Sequence, residues 1–400
     1  MPALPCPIAL TAILSTAVFL TGAEPQDWPQ FRGPGLDGHA PGIGLIGTDK
    51  LAPRVVWKAE IGIGYTSPSV VGTRIYVGGH RKGQDTVRCL DASTGTPVPG
   101  WVDFSYPEKL DYLLYEGGPL ATPLISGGRL YGMSRSGLVY ALDATTGSPL
   151  WQVDLKKELG AIEPEWGFAG SPRLVDGRLL VAVGRFGASL DPQSGKVQWK
   201  TGTDMAGYAS PMPVQIGGKP HALMASAKAY ALVRADDGTV VWEIPFRTGY
   251  GVNATDPVVA GDRAFFSTEL SAVQVALETA APRELWRNKV LRTRMFSAVK
   301  SGDHLYGFDD TTLKCVNWSD GQERWKFKGL GESSLLVADG HLIILAKKGD
   351  LVIAKADPAA YTEVARTKVL DDRCWVVPAI AGGRIYCRNA KGDLIAVALR

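Results

Sequence analysis

The stretch ALDATTGSPLW, residues 141–151, constrains the fold most, because degraded copies of it recur along most of the chain. From Trp101 onward, the tryptophans that end successive copies are 50, 48, 43, 44 and 39 residues apart. A period of about 40 to 45 residues is typical of a β-propeller blade. The tryptophans that mark this repeat are Trp57, Trp101, Trp151, Trp199, Trp242, Trp286 and Trp325.

The second copy shows the internal order of a blade most clearly. An apolar segment, PLATPLIS, is followed by Gly127-Gly128, then by RLYGMS, Ser136-Gly137 and LVYALD, and a five-residue turn leads from Asp143 to the segment SPLWQV. Short apolar segments joined by glycine-containing turns predict four antiparallel strands. The turn aspartate can accept hydrogen bonds from backbone N–H groups, and the turn glycine supplies a left-handed conformation. We expect the recurrent tryptophans to be structural, each packing against the neighbouring blade.

Eight segments match the innermost strand of such a blade. The chain ends at the third strand of the eighth copy, and RVVWKAEI at 54–61 is one strand without a sheet. We therefore predict an all-β, eight-bladed propeller of four-stranded antiparallel blades, closed by residues 54–61, because closure removes exposed sheet edges. The eight segments are 67–71, 122–126, 171–175, 210–214, 256–260, 297–301, 333–337 and 377–381.

The N-terminal region predicts export. Residues 1–23 contain no charged side chain and carry an apolar run from Ile8 to Leu20, which is typical of a signal peptide. The lack of an early lysine or arginine leaves an uncleaved anchor as the alternative. No other segment is apolar and long enough to span a bilayer. We expect an exported protein of the periplasm or cell envelope, and we expect it to be a monomer. With 43 basic and 40 acidic residues and no basic run, the sequence does not predict a basic surface that would bind nucleic acid.

Residues 24–53 form a Gly/Pro-rich segment without strand or helix periodicity. We expect an ordered arm, because Trp28 and Phe31 would be costly to leave in water. The propeller then occupies residues 54–400. Its four cysteines form no CxxC pattern, and we expect buried thiols that act as small hydrophobes. They are Cys89, Cys315, Cys374 and Cys387.

The repeat resembles a known family. The pattern S-P-x-x-x-x-G-R-x-Y followed by A-L-D-A-x-T-G-x-x-x-W is similar to the pyrroloquinoline quinone (PQQ) repeat, and DWPQFRGP resembles the N-terminal segment of exported bacterial proteins of that group. The resemblance covers residues 27–400 and is strongest in blades 1 to 4. It implies either a quinoprotein dehydrogenase or a non-catalytic propeller similar to the scaffold lipoprotein of the outer-membrane β-barrel assembly machinery.

The loops that lead into the inner strands are the variable part of the repeat. Four of them are long, at 102–117, 154–168, 245–255 and 287–296, whereas the turns of the opposite face are uniformly short. Long, varied loops on one rim of a rigid ring mark a binding surface. We expect a ligand or partner to meet aromatic and polar side chains at this mouth of the channel, namely Tyr65, Glu116, Trp166, Tyr208, Asn253, Arg294, Glu332 and Trp375.

Resemblance to the dehydrogenases implies PQQ stacked on a tryptophan, calcium held by a Glu and an Asn, and an Asp as base. Trp166, Asn253 and either Glu165 or Glu116 could take the first two roles. The base is missing, because the corresponding loop reads RTRMF and places Arg294 there. Of five histidines only His80 lies near this rim, where we expect it to be solvated.

We therefore favour a non-catalytic scaffold, without a cofactor, that binds a protein or carbohydrate partner. A PQQ- and calcium-dependent dehydrogenase that oxidises an alcohol or sugar is the alternative.

Overall fold

The computed structural model describes residues 27–40, 42, 44, 51–110, 117–278 and 280–400. The predicted signal peptide and Glu116 lie outside these residues. The described residues form eight blades of four antiparallel strands, and the sheet of one blade gains a fifth, parallel strand, His39–Ala40, which confirms the predicted eight-bladed propeller. Within each blade, strand a lies innermost and strands b, c and d follow outward.

Blades 1 to 4 have short inner strands and longer strands b and c. Blade 1 comprises Ser69–Val71, Arg74–Arg81, Gln84–Asp91 and Phe104–Pro107; blade 2, Leu124–Ser126, Arg129–Met133, Leu138–Asp143 and Pro149–Asp154; blade 3, Arg173–Val175, Arg178–Val181, Ala188–Leu190 and Val197–Lys200; blade 4, Met212–Ile216, Lys219–Ala225, Ala229–Arg234 and Val240–Pro245.

Blades 5 to 8 repeat this order, and blade 8 takes its outer strand from the start of the propeller. Blade 5 comprises Val258–Ala260, Arg263–Ser267, Ala272–Ala276 and Arg283–Asn288; blade 6, Val299–Ser301, His304–Asp309, Thr312–Asn317 and Glu323–Phe327; blade 7, Ser334–Ala338, His341–Leu345, Asp350–Lys355 and Glu363–Lys368; blade 8, Ala379–Ala381, Arg384–Arg388, Asp393–Ala398 and Arg54–Glu60.

The ring closes as predicted. Arg54–Glu60 pairs antiparallel with Asp393–Ala398, so strand d of blade 8 comes from the beginning of the propeller. Arg388, which is fully buried, reinforces the junction by donating hydrogen bonds to the carbonyl oxygens of Thr66, Gly78 and Gly62 at 3.1, 2.8 and 3.0 Å. Sequence reasoning identified the closing strand but not this arginine.

The recurrent tryptophan and turn form one contact between neighbouring blades. Six indoles donate a hydrogen bond to a carbonyl in or beside the c–d turn of the next blade, for example Trp151 to Pro192 at 3.1 Å. A Cβ atom on Gly195, whose φ is 74°, would lie 2.6 Å from the Trp151 ring, so the turn needs glycine for both conformation and space. Trp101 makes no such bond among the described residues.

The S-P or T-P motif that begins an inner strand joins blades at the channel. The N–H of Ser67 donates to Oγ1 of Thr122 at 3.1 Å, the N–H of Thr122 to Oγ of Ser171 at 2.9 Å, and the N–H of Ser171 to Oγ of Ser210 at 3.1 Å. The N–H of Ser210 then donates to Oδ1 of Asp256 at 2.7 Å. The motif therefore links blades 1 to 5 in a continuous series.

The N-terminal arm crosses the channel at the end that carries the short turns. Trp28, which is fully buried, pairs with Val70 of blade 1 through backbone bonds of 2.7 and 2.8 Å, and the N–H of Ile125 in blade 2 donates to Pro29. Across the ring, His39–Ala40 forms a short parallel pair with strand a of blade 7. Residues 28–40 of the arm therefore span the channel.

A buried charge cluster fastens the arm at its centre. Arg32, only 3% exposed, donates to the carbonyl of Ala298 in blade 6 at 3.0 Å. Arg173 donates to the carbonyl of Phe31 at 3.0 Å and lies 3.6 Å from Oδ2 of Asp256. Burial raises the pKa of Asp256, while Arg173 and Arg32 oppose that shift. The arm, blade 3 and blade 5 thus each contribute one charged side chain to this buried cluster.

All four cysteines of the propeller are buried free thiols. Burial raises the pKa of Cys89 and of Cys374 to about 12. This agrees with the expectation that they pack as small hydrophobes.

Candidate binding rim

The rim opposite the arm consists of the loops that enter the inner strands and the b–c turns. One of its loops contains the helix Leu155–Leu159, which the sequence did not predict. Asp154 caps the helix by accepting hydrogen bonds from two backbone N–H groups, and Gly160 ends it with φ of 64°. Leu155 and Leu159 are buried, so the helix anchors this loop to the core.

Three aromatic side chains cluster on the rim over blades 3 to 5. The Trp166 ring lies 6.0 Å from Tyr208 and 6.2 Å from Tyr250, edge-on to the latter. The backbone N–H of Trp166 donates to the Tyr208 hydroxyl at 3.2 Å. Burial raises the pKa of Tyr208 to about 12, so its hydroxyl stays neutral and can itself donate. Tyr250 is 71% exposed.

Sequence reasoning selected Trp166 and Tyr208 but missed Tyr250. The signal was present, because Tyr250 stands between two glycines in the long loop 245–255. An aromatic residue flanked by glycines has little room to bury itself locally, so it is free to project from the loop.

Asn253 lies beneath this cluster and faces inward. Its side chain is fully buried, and its amide nitrogen donates to the carbonyls of Ser226 at 2.8 Å and Phe246 at 3.0 Å. Its backbone carbonyl accepts from the N–H groups of Tyr208 and Ala209. In this arrangement Asn253 holds the loop 245–255 in place beneath the aromatic cluster.

The remaining predicted rim residues lie elsewhere on the rim. Tyr65, half-buried in the loop into blade 1, donates its backbone N–H to the carbonyl of Pro119 in the loop into blade 2 at 2.9 Å. Beside it, burial lowers the pKa of Arg388 to about 9, and Tyr65 acts in the opposite direction. Arg294 and Glu332 line one cleft between blades 6 and 7. Glu116 lies outside the described residues.

Trp375, on the rim of blade 8, stands between two cations. The ammonium of Lys347 lies 4.9 Å and the guanidinium of Arg373 4.6 Å from its ring centroid. Both cations therefore lie within cation–π distance of the indole.

Exposed apolar side chains are concentrated on one arc of the rim. In the described part of the chain, nine large hydrophobic residues are exposed, and five of them lie on the rim from the loop before blade 2 to the b–c turn of blade 5. The other four lie on or beside outer strands. The five that define this apolar arc are Leu110, Ile162, Met205, Tyr250 and Leu270.

His80 is not solvated, contrary to the expectation. It lies in strand b of blade 1, is 5% exposed and bonds through Nδ1 to Oδ1 of Asp85 at 2.8 Å. Burial raises the pKa of Asp85 to about 6, although His80 opposes this shift. The strand extends one residue beyond the histidine, which is why the apparent loop GGHRKGQD folds as a hairpin.

Among the residues described, no three His, Cys, Asp or Glu side chains are grouped so as to hold a metal ion. The same residues include no helix long and apolar enough to cross a membrane.

Eight blades, a repeated tryptophan-and-turn contact and a variable rim define a propeller built from PQQ-type repeats. Residues 113–327, more than half of the chain, match the family described as outer membrane protein assembly factor BamB. The chain therefore belongs to this family, which confirms the resemblance seen in its repeat.

Individual relatives are distant. Outer membrane protein assembly factor BamB of Yersinia pestis is 24% identical over 294 residues, which are 68% of this chain and 72% of that protein. The crystal structure of BamB from Moraxella catarrhalis superposes with a TM-score of 0.64 at 15% identity and covers 87% of this chain and 98% of that one. The quinohemoprotein alcohol dehydrogenase from Comamonas testosteroni has a TM-score of 0.71 at 12% identity, with 93% and 80% covered. At these identities the structural likenesses establish the fold alone.

Proposed function

We propose that this protein is an exported, non-catalytic propeller that binds a protein partner in the cell envelope through its apolar arc. The observation that carries the proposal is the concentration of five exposed hydrophobic side chains on one arc of one face. Concentrations of exposed apolar side chains on one part of a surface are typical of protein interaction sites. Family membership supports the same conclusion, because relatives of this chain are named as assembly factors of the outer membrane.

The aromatic cluster supports a docking role for the arc. Tyrosine and tryptophan are enriched at protein interfaces, where a large rigid ring adds contact area at little cost in conformational entropy. Tyr250 is exposed and its ring contacts Trp166, which in turn packs against Tyr208, so the ring is both accessible and supported.

The alternative, a PQQ-dependent dehydrogenase, is less well supported. Asn253 would have to supply an oxygen ligand to calcium, yet its side chain is fully buried, so its unpaired Oδ1 is enclosed and does not open onto the rim. Arg294 stands where the resemblance places the catalytic carboxylate, and Trp166 packs against two tyrosines. We therefore propose that neither PQQ nor calcium is used.

Site-specific photo-crosslinking tests the docking surface. A photoreactive residue at position 250 or 162 should yield one defined protein adduct in envelope preparations, because both positions project from the apolar arc. The same residue at the exposed position 193, on the opposite face, is the matched control. Equal adducts at positions 193 and 250, or none at 250 and 162, would refute the proposed surface.

Calorimetry tests the alternative. Titration of the purified protein with PQQ in the presence of Ca²⁺ should give no saturable heat. Tight binding of both, together with dye-linked oxidation of an alcohol, would establish the dehydrogenase instead.

A further inference from the structure

The rim divides into two arcs of different character. The apolar arc extends from the loop into blade 2 to the b–c turn of blade 5, and the rest of the rim runs from the loop into blade 6, through blades 7 and 8, to the b–c turn of blade 1. On this second arc, five cationic side chains are exposed and form no ion pair among the described residues. The five that define this cationic arc are Lys82, Lys289, Arg294, Lys328 and Lys348.

Most acidic side chains on the same arc already have a cationic partner or are buried. Asp309 is buried and lies 2.9 Å from an arginine and 2.7 Å from a lysine. Asp372 pairs with Lys391 at 3.0 Å, and Glu332 is only 7% exposed. In the described part of the chain, Asp310 is the one exposed acid of this arc without an ion pair. The unpaired charge of the arc is therefore predominantly positive.

Positive side chains converge at the rim of blade 7. Burial raises the pKa of Glu332, and Arg294 and Lys347 lie close enough to oppose that shift. Lys347 and Arg373 lie 4.9 and 4.6 Å from the ring centroid of Trp375. The residue that follows Lys347 in its turn is also a lysine, and it is exposed. Like charges this close repel one another, so an anionic ligand would lower the electrostatic energy of the cluster.

The apolar arc shows no comparable excess of positive charge. Its exposed side chains without an ion pair include Glu158 and Glu165 as well as Lys228 and Arg247. Conversely, none of the exposed large hydrophobic side chains of the described chain lies on the cationic arc. One face of the ring thus offers two surfaces that suit different chemical groups.

The side chains of the cationic arc also indicate which kind of anion suits it. Four of its five defining residues are lysines, which act as point charges, whereas phosphate groups are best matched by the planar fork of arginine. The arc exposes no large hydrophobic side chain that could enter a lipid layer. A polypeptide with repeated carboxylates can follow separate lysines along a curved rim, and each contact adds a modest attraction.

We propose that the cationic arc binds an acidic polypeptide segment that carries several Asp or Glu side chains along an extended stretch. This inference goes beyond the proposed docking at the apolar arc, because it concerns another arc of the same face and an electrostatic rather than a hydrophobic attraction. It does not depend on that docking.

Fluorescence anisotropy on the purified protein tests the proposal. The probe is a fluorescein-labelled peptide of alternating Glu and Gly, about 16 residues long, which spans about 50 Å when extended. It should bind saturably at about 50 mM salt and weaken steeply towards about 0.3 M, because salt screens exposed charges. A triple variant, Lys289→Gln, Lys328→Gln and Lys348→Gln, should weaken binding about tenfold.

The matched control removes the same charge from the opposite face. Lys196→Gln, Lys219→Gln and Lys355→Gln replace three exposed lysines there and should leave peptide binding unchanged. Vesicles of phosphatidylcholine with about 30% phosphatidylglycerol should bind no more tightly to the unmodified protein than to the rim variant.

Three results would overturn the proposal. They are the absence of saturable peptide binding, an equal loss of binding in the two triple variants, and binding to the anionic vesicles that the rim variant weakens while the peptide does not bind. Tyr250→Ser should keep peptide binding, and the rim lysine variant should keep the adduct at position 250, so failure of the cationic arc and failure of the apolar arc can be told apart.

Discussion

The two faces of the ring belong to the same eight blades but differ in loop length and in what their side chains do. On the short-turn face, Asp143 accepts two backbone N–H bonds within its own turn, Trp151 bonds to the next turn, and the arm lies across the channel. On the rim, Tyr250 projects into solvent and Glu332 keeps an oxygen without a partner. Most side chains of the repeated contact on the first face are occupied by the fold, although Trp28 and Trp101 keep an unpaired indole N–H; on the rim, several side chains are exposed or unpaired. Substitutions on the first face should therefore reduce stability, and substitutions on the rim should reduce binding.

Removal of the closing strand should have the largest effect. Deleting residues 54–61 leaves blade 8 with three strands and exposes the edge at Asp393–Ala398, so we expect aggregation and loss of the cooperative melt. Size-exclusion chromatography and thermal denaturation measure this. A chain that begins at residue 27 retains the closing strand and is the control; an unchanged melting temperature in the deletion would place the closure elsewhere.

Truncation of the arm tryptophan should come next. Trp28→Ala removes a fully buried indole, for which we expect a loss of about 3 to 5 kcal/mol in the free energy of unfolding. Urea denaturation measures it, and Gln30→Ala on the same arm should change stability by less than about 0.5 kcal/mol. A loss below about 1 kcal/mol for Trp28→Ala would show that the arm is not part of the folded unit.

The turn aspartates should make a smaller, pH-dependent contribution to the free energy of unfolding. Hydrogen bonds from Ser93 and Thr94 lower the pKa of Asp91, and bonds from the corresponding turn residues lower the pKa of Asp143 and of Asp191. A carboxylate whose folded pKa is lowered contributes stability above its unfolded pKa, near 4, and this contribution is lost as pH falls through the folded pKa. Because these turns face water, we expect less than about 1 kcal/mol from each.

Urea midpoints at pH 7 and pH 3 test this linkage. Replacing all three aspartates with asparagine should lower stability at pH 7 and reduce its loss on acidification, whereas Asp303→Asn should do neither. A triple variant with the same acid dependence as the parent would contradict the role assigned to the turns.

Tyr250→Ser should have the smallest effect on folding. Its ring is mostly exposed, so the free energy of unfolding should change by no more than about 0.5 kcal/mol. Photo-crosslinking from position 162 should nevertheless lose its partner adduct. A destabilised variant, or one that still yields the adduct, would remove the contrast between the two faces.

Much of the short-turn face could be predicted because its contacts are local or periodic. Asp143 and Gly147 lie within one turn, and Trp151 meets the turn of the next repeat, so a single sequence pattern contains both partners. The role of Ser67, Thr122 and Ser171 in joining neighbouring blades was missed, although the S-P motif itself was recognised. The motif reads as the start of a strand, and nothing local indicates that its hydroxyl serves the preceding blade.

The rim was harder to predict because its side-chain contacts follow no repeated pattern, so even a pair five residues apart, His80 and Asp85, was not recognised. His80 was assigned to solvent, yet Asp85 and the strand pairing bury it. Asn253 looked like a ligand-binding group, and only the fold shows its amide turned toward Ser226 and Phe246. Trp375 looked like an open indole, and only the fold brings Lys347 onto it.

The sequence alone determined the number of blades, their strand order and the strand that closes the ring, because a repeated pattern of apolar segments and turns allows few alternatives. The tertiary structure decided where the arm runs, which polar groups pair across the channel and which remain unsatisfied at the rim. Those outcomes depend on contacts such as Arg32 with Ala298 and Arg388 with Thr66, between residues hundreds of positions apart. No local preference encodes such contacts; they exist only once the ring has closed.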